Sequence, residues 1–350
     1  MKKLLTFLLS AALLLAGCGA NTDANAAPAD SASDEVPKAT ATLFAMDTVM
    51  SLSCWGERCE EAIDAAKKEI LRIDSLLSVG IAGSEVSRIN TEGSGTLSAD
   101  GQAIVAEALR LWDTTDGAFD ITVYPLMELW GFTSQNFRVP AEDELERMLR
   151  TVGSDGLEYD AETGSVTLGR ALGIDLGGIA KGYTSGRLME VFEEYGLRAG
   201  LVSLGGNVQC CGTKPDGSAW RFGIQDPFEP NSGKFLGILS ITDGAVITSG
   251  AYERFFEEDG ETYHHILDPA TGYPANHGLV SVTIVSPDGM LADGLSTSVY
   301  ILGLEKATEY WREYGENFDM ILMTEGGEVY VTEPIADRLT TEYPVTVITA

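Results

Sequence analysis

The sequence predicts an α+β protein, with mixed or antiparallel sheets and packed helices in a single large domain over residues 39–350. Three observations carry this. Strand-like and helix-like segments mix along the chain without a regular β-α-β period, which disfavours a doubly wound parallel sheet. From Ala39 onward the composition is globular and no second low-complexity break divides it, although length alone would also allow two domains. There is no internal repeat, and no further apolar stretch long enough to cross a membrane.

Residues 42–55 read as a strand of Val, Met, Leu and Thr, ended by Gly56. Residues 57–78 form an amphipathic helix, because Ile63, Ala66, Ile70, Ile73 and Leu77 fall on one stripe. Residues 80–83 break it. Ser98-Ala99-Asp100 opens a second helix to about residue 113, with Ile104, Ala108, Leu111 and Trp112 facing inward. A polar loop over 114–120 and a short helix over 142–150 follow. Residues 157–168 resemble a hairpin around Glu162-Thr163-Gly164. A short apolar run at 174–176 leads through Gly177 and Gly178 into a helix over 180–195. A strand over 201–204 ends in Gly205-Gly206-Asn207. Further strands are expected at 221–224, 235–242, 245–248, 280–285, 320–323 and 329–331, with helices at 291–302 and 305–314.

The N-terminus reads as an export signal. Lys2 and Lys3 precede an apolar run over residues 4–16 that is too short for a permanent membrane span. Leu15-Ala16-Gly17-Cys18 then gives small residues before a cysteine, as in a lipoprotein signal. Residues 1–17 are expected to be the signal peptide and Cys18 the lipidated residue; a plain secretory signal with an incidental Cys is the alternative. Residues 18–38, rich in Ala, Asp, Ser, Asn and Pro, read as a flexible tether. The expectation is a protein anchored by lipid on the extracytoplasmic face of the cell membrane.

The formal net charge is -30, which excludes nucleic acid as a partner and a polybasic grip on anionic lipid. An anionic ligand would need local help from a metal, a lysine or helix N-termini. Besides Cys18 there are Cys54, Cys59, Cys210 and Cys211, too few for a disulfide framework. Cys54 and Cys59 flank a turn where they could pair, but buried free thiols are the simpler reading. With three His in the chain, no spacing suggests zinc.

Four segments carry chemistry. In Asp175-Leu176-Gly177-Gly178-Ile179-Ala180-Lys181-Gly182-Tyr183, exposed N–H groups and Lys181 would hold a phosphate or pyrophosphate; a structural strand–turn–helix corner looks the same. Ser203-Leu204-Gly205-Gly206-Asn207 permits close approach to a ligand, or makes a tight turn. In the segment from His264 to Pro274, a His beside an Asp-Pro and a Thr-Gly turn is a candidate base or an ordinary hydrogen-bonded residue. In Ala292-Asp293-Gly294-Leu295-Ser296-Thr297, Asp293 and Thr297 share a helix face and supply oxygens suited to Mg²⁺; an N-capping Asp with an unrelated Thr is the plainer account. There is no P-loop and no Gly-x-Gly-x-x-Gly after a strand.

In order along the chain, these segments resemble one family. To them are added Met46-Asp47-Thr48, Ser84-Glu85-Val86-Ser87-Arg88-Ile89-Asn90, Gly117-Ala118-Phe119-Asp120 and Thr248-Ser249-Gly250-Ala251-Tyr252-Glu253-Arg254. The chain resembles the FAD:protein FMN transferases, the ApbE family, once labelled thiamine-biosynthesis lipoproteins. The resemblance implies that Met46, Ala118, Phe119, Asp120, Asp175, Lys181 and Ile266 line a FAD site. It implies Mg²⁺ ligands at Asp293 and Thr297, with Gly178, Ser296 and Ala180 near the metal. Where the family often has a Tyr on the flavin after Leu77-Ser78, this chain has Val79-Gly80, so stacking comes from another ring such as Tyr252 or is weaker.

The activity so implied is transfer of FMN from FAD to a Thr or Ser of an acceptor flavoprotein in a membrane redox chain, with release of AMP. His265 is the candidate base, oriented by Asp268, and Asp293 the metal-binding catalytic residue. A Mg²⁺-dependent FAD pyrophosphatase and a non-catalytic flavin-binding lipoprotein remain as rivals.

Overall fold

The segment expected as one strand over residues 42–55 is a hairpin. In a computed structural model, which describes residues 36–350 apart from residue 231, β1 (Lys38–Ala45) pairs antiparallel with β2 (Thr48–Trp55) through a two-residue turn. Met46 and Asp47 fill that turn with φ of 48° and 58°, the left-handed values a tight hairpin needs and non-glycine residues rarely adopt. No Gly or Asn marks the turn, so the sequence hid it. The Pro37 carbonyl accepts the Gly56 N–H at 2.9 Å, so residues 37 and 38, expected at the end of the tether, already belong to the folded domain. The expected signal peptide, the expected lipidation site Cys18 and the expected tether up to residue 35 lie outside the described residues.

Helix α1 (Cys59–Leu77) buries the predicted stripe, Ile63, Ala66, Ile70, Ile73 and Leu77. Each large apolar side chain so buried contributes about 1.5–3 kcal/mol. The unpredicted α2 (Glu85–Glu92) starts at Ser84, whose side chain accepts from Ser87 N–H, and stops at Gly93 with φ 76°. After β3 (Ser94–Thr96) comes α3 (Ala99–Thr114), capped by Ser98 as expected. Next are α4 (Tyr124–Trp130) and α5 (Glu142–Leu149), then β4 (Leu157–Asp160) and β5 (Ser165–Leu168), which form the expected hairpin.

Helix α6 (Ala180–Glu194) is followed by β6 (Ala199–Leu204), β7 (Asn207–Cys211), β8 (Trp220–Gln225), β9 (Phe235–Ile241) and β10 (Gly244–Gly250). The sequence did not reveal β11 (Phe255–Glu258) and β12 (Glu261–His264), a separate hairpin. Then come β13 (Leu279–Ser286), α7 (Gly289–Tyr314), β14 (Asp319–Thr324), β15 (Val329–Thr332), β16 (Leu339–Thr340) and β17 (Val345–Ile348). Gly303, at φ 73° and ψ 173°, kinks α7 between the two helices expected there.

The main sheet runs β1-β2-β6-β7-β10-β13-β14-β15-β17, antiparallel except for the final parallel pair β15 and β17. The expectation of an α+β fold with mixed and antiparallel sheets is met. Helices α1, α6 and α7 pack against this sheet, and the helix pair α6 and α7 sets the position of the site. Among the described residues no helix is long and apolar enough to cross a membrane.

Candidate active site

The site begins where α6 and α7 touch. Glycine at 182 allows this: a Cβ there would lie 2.1 Å from the Gly289 carbonyl oxygen and 2.5 Å from the Asp293 Cβ. Through the gap the Gly182 N–H donates to Asp293 Oδ2 at 2.7 Å. Asp293 therefore satisfies a first-turn N–H of the neighbouring helix. Asp293 does not cap its own helix; Asp288 caps α7 by accepting from Met290 and Leu291 N–H. Asp293 is 5% exposed, and nothing among the described residues donates to its Oδ1. Ser296 donates its hydroxyl to the Asp293 carbonyl at 2.8 Å and lies 2.7 Å from the Ser249 hydroxyl. Thr297, four residues from Asp293 on the same unbroken stretch of α7, is half-buried.

The Asp175 to Tyr183 segment makes the corner at the start of α6, and most of its N–H groups are used internally. Asp175 Oδ1 accepts from Gly177 N–H at 2.8 Å, and the Leu176 carbonyl accepts from both Ile179 and Ala180. Among the described residues the N–H groups of Leu176, Gly178 and Lys181 lack an acceptor, and Leu176 is buried, so the expected phosphate cradle narrows to Gly178 and Lys181. Lys181 Nζ curls back to the Gly177 carbonyl at 3.2 Å. Ala180 is buried and its carbonyl accepts the Thr184 hydroxyl at 2.7 Å.

Met46 sits at the rim of this corner, its Sδ 3.9 Å from the Thr184 hydroxyl. The Gly205-Gly206 segment is the tight turn between β6 and β7; it packs on the same hairpin, with the Gly205 Cβ position 2.5 Å from Thr48 Oγ1. Gly178 packs over the ring of Phe119, whose Cε2 lies 3.4 Å from the Gly178 Cβ position. Ala118, Phe119 and Ile266 are buried in the core beneath the site. Asp120 is buried too, and its carboxylate accepts from Thr122 N–H and hydroxyl and from Ser154 N–H and hydroxyl. Those four bonds occupy it within the protein, so it shapes the loop that carries Ala118 and Phe119.

His265 continues the β11–β12 hairpin. Its N–H donates to the Arg254 carbonyl at 3.0 Å, and its Nδ1 lies 3.2 Å from the same oxygen. The expected orientation of His265 by Asp268 does not occur. Asp268 Oδ2 instead pairs with His277 Nε2 at 3.3 Å, and its Oδ1 accepts from Ala270 N–H to close the turn. The ring of Tyr252 folds back onto Gly250, with its Cε1 2.3 Å from the Gly250 Cβ position.

Electrostatics join these groups. Burial pushes the Asp175 carboxyl up; the Gly177 N–H, Arg254 and Lys181 oppose this, and Asp47 adds to it. Burial pushes Glu253 up to about 7, with Asp293 adding and Lys181 and Arg254 opposing. Burial pushes His265 down to about 3, helped by Arg254, His264 and Lys181. Glu253 is exposed and His265 partly so, and both reach solvent. Asp47, Asp175, Lys181, Glu253, Arg254, His265 and Asp293 thus share one field. Spacing alone assigns no role to Glu253, Arg254, Ser249 or Asp47, although all stand in motifs that carry the family resemblance. Their contribution comes from contacts across the fold, which spacing does not display. Two surface hollows, of about 410 and 340 Å³, lie elsewhere, one against the end of α7 and β17, the other beside Trp55 and Arg198.

Five comparisons bear on this geometry. The ApbE family model matches residues 46–322. The FAD:protein FMN transferase of Haemophilus influenzae is 31% identical over 299 residues, covering 83% of this chain and 86% of the relative. That of Escherichia coli is 32% identical over 336 residues, covering 93% of each. Among solved structures, an ApbE protein from Thermotoga maritima aligns with a TM-score of 0.81 at 32% identity, covering 86% of this chain and 99% of that one. The flavin transferase ApbE from Vibrio cholerae aligns with a TM-score of 0.74 at 26% identity, covering 89% and 98%. The chain belongs to the ApbE family and is a transferase.

Proposed function

We propose that this protein is a Mg²⁺-dependent FAD:protein FMN transferase that attaches FMN to a Thr or Ser hydroxyl of an exported or membrane flavoprotein and releases AMP. The observation that carries the reading is Asp293. It is a buried carboxylate without a cationic partner among the described residues, held by the Gly182 N–H, and its own carbonyl accepts from the Ser296 hydroxyl that also meets Ser249. An isolated buried carboxylate is costly unless a positive charge approaches it.

The donor set fits Mg²⁺. Among the described residues no three His, Cys, Asp or Glu side chains converge into a cage. Mg²⁺ tolerates this, since it keeps waters and completes its shell with substrate phosphate oxygens. Asp293 Oδ1 and the Thr297 hydroxyl would hold it, with carbonyl oxygens at Gly178 and Ser296 beside them. The metal supplies positive charge against the two phosphates of FAD and the charge developing between them.

The chain's own groups do the rest. Lys181, with the free N–H groups of Gly178 and Lys181, binds the pyrophosphate. Met46 and the apolar base of Ala118, Phe119 and Ile266 receive the flavin end, and Asp175 offers an acceptor at its edge. The acceptor hydroxyl loses its proton to His265, its oxygen bonds to the FMN-side phosphorus, and the bridging P–O bond breaks to release AMP. Lipidation of Cys18, which would place this site on the extracytoplasmic face, belongs to the same reading.

Incubation of the domain with FAD, Mg²⁺ and an acceptor peptide separates the rivals. Covalent FMN on the peptide supports transfer. Free FMN and AMP indicate a pyrophosphatase, and intact FAD a flavin-binding protein only.

A further inference from the structure

Arg254 holds the base from two directions. Its carbonyl accepts from both the backbone N–H and the Nδ1 side of His265, at 3.0 and 3.2 Å. Its guanidinium reaches the Phe132 carbonyl, Nη2 donating at 2.9 Å. Phe132 is itself fixed. Gly131 ends α4 with φ 80°, and a Cβ there would lie 2.1 Å from the Asn136 carbonyl oxygen. The Phe132 ring then stands edge-on to His265, 6.5 Å between centroids. The β11–β12 hairpin pairs with no strand of the main sheet, so this brace ties it to the body at the point where His265 emerges.

We propose that Arg254 is a positioning residue that fixes His265 as the Nδ1-protonated tautomer and leaves Nε2 as the proton-accepting atom. A carbonyl oxygen only accepts, so Nδ1 must carry the hydrogen and the lone pair resides on Nε2. The cation beside the ring also disfavours the imidazolium, in the direction already described for His265. The charged and titratable groups facing His265 are Arg254 at the foot of β11, His264 at the end of β12 and Lys181 on α6. Glu253 neighbours Arg254, and Asp268 and His277 on the next turn are occupied with each other. Two cations near a base weaken it, but FAD brings two phosphates to the same field. Substrate binding therefore returns basicity to Nε2 when it is needed.

The role as base rests on the proposed transfer; the tautomer and the brace do not, and nitrogen NMR of histidine-labelled protein reads them without turnover. In the wild type, His265 should show Nδ1 protonated and remain neutral to about pH 4, well below an ordinary imidazole. Adding FAD without acceptor should raise its titration midpoint. Arg254→Ala keeps the backbone carbonyl but removes the tie to Phe132, so the Nδ1 contact should loosen, the tautomers should mix, and loss of the cation should raise the midpoint by about one unit or more. Arg254→Ala should also lower kcat for transfer by at least ~10-fold while leaving KM for FAD nearly unchanged. Arg254→Lys, which keeps the charge but not the planar fork, should restore the midpoint but not the full rate. An Nε2-protonated His265 in the wild type, or an unmoved midpoint in a folded Arg254→Ala protein, would overturn the proposal. Absence of transfer by a wild type with the stated tautomer would overturn the function and leave the brace standing.

Discussion

Gly182 and Asp293 meet at 2.7 Å across two helices that no local sequence signal joins, an N–H on α6 donating to a carboxylate on α7. The contact orients Asp293 with one oxygen taken and one turned to the site. It exists because residue 182 has no side chain.

Gly182→Ala therefore places a methyl group 2.1 Å from the Gly289 carbonyl oxygen and 2.5 Å from the Asp293 Cβ. The helices must part, at a cost of about 1–3 kcal/mol. The expected outcome is a thermal midpoint lower by several degrees together with loss of transfer. An unchanged midpoint would show that α6 and α7 are not locked here.

Asp293→Asn keeps an oxygen that can accept from Gly182 but removes the charge. Transfer should fall by about 10- to 100-fold or more, with recovery only at raised Mg²⁺. Chelation of divalent metal from the wild type should abolish transfer, and added Mg²⁺ should restore it. An Asp293→Asn variant with full activity at low Mg²⁺ refutes the metal assignment.

Asp120→Ala removes the acceptor of four hydrogen bonds from Thr122 and Ser154, all buried. The stranded donors should lower stability by roughly 2–4 kcal/mol, since each unsatisfied buried group costs about 1–3 kcal/mol. Chemical denaturation measures this. A loss of FAD affinity at unchanged stability would instead assign Asp120 to the ligand.

Glu253 gives a pH signature. Its folded carboxyl is raised to about 7 from 4.5, so between those values the folded protein holds a proton that the unfolded chain has released. This contribution is fully present below pH 4.5 and is lost as pH rises through 7. Glu253→Gln cannot lose it, so the variant should gain stability relative to the wild type across that window. Thermal midpoints at several pH values test this. A constant difference would place Glu253 in an ordinary solvated setting.

Cys18→Ala should move the protein from the membrane fraction to the soluble exported fraction and abolish incorporation of labelled fatty acid. Membrane retention of the variant would point to a different anchor.

Much of the fold was legible because hydrophobic periodicity survives in single elements. The α1 stripe from Ile63 to Leu77 is fully buried, and Ser98 caps α3 as its spacing suggests. The Met46-Asp47 turn was not legible, since Asp47 tolerates positive φ but Met46 does not favour it, and no Gly or Asn marks the pair. Helix α4 begins with Tyr124-Pro125, and its cap, Val123, gives no side-chain hydrogen bond to announce it. The hairpin Phe255 to His264 has a weak alternating pattern, and its Phe and Tyr rings serve a local aromatic cluster with Trp130 and Phe137.

By itself the sequence determined the mixture of strands and helices, the acidic character that makes a local cation necessary, and the ordered motifs that carry the family. Tertiary structure decided what each motif residue is free to do. It bound the Asp120 carboxylate into a loop, gave Asp268 to His277 and left His265 to Arg254. It also used most of the N–H groups at the start of α6, leaving those of Gly178 and Lys181. A residue type states which hydrogen bonds a side chain can make; only the fold determines which of them are already made.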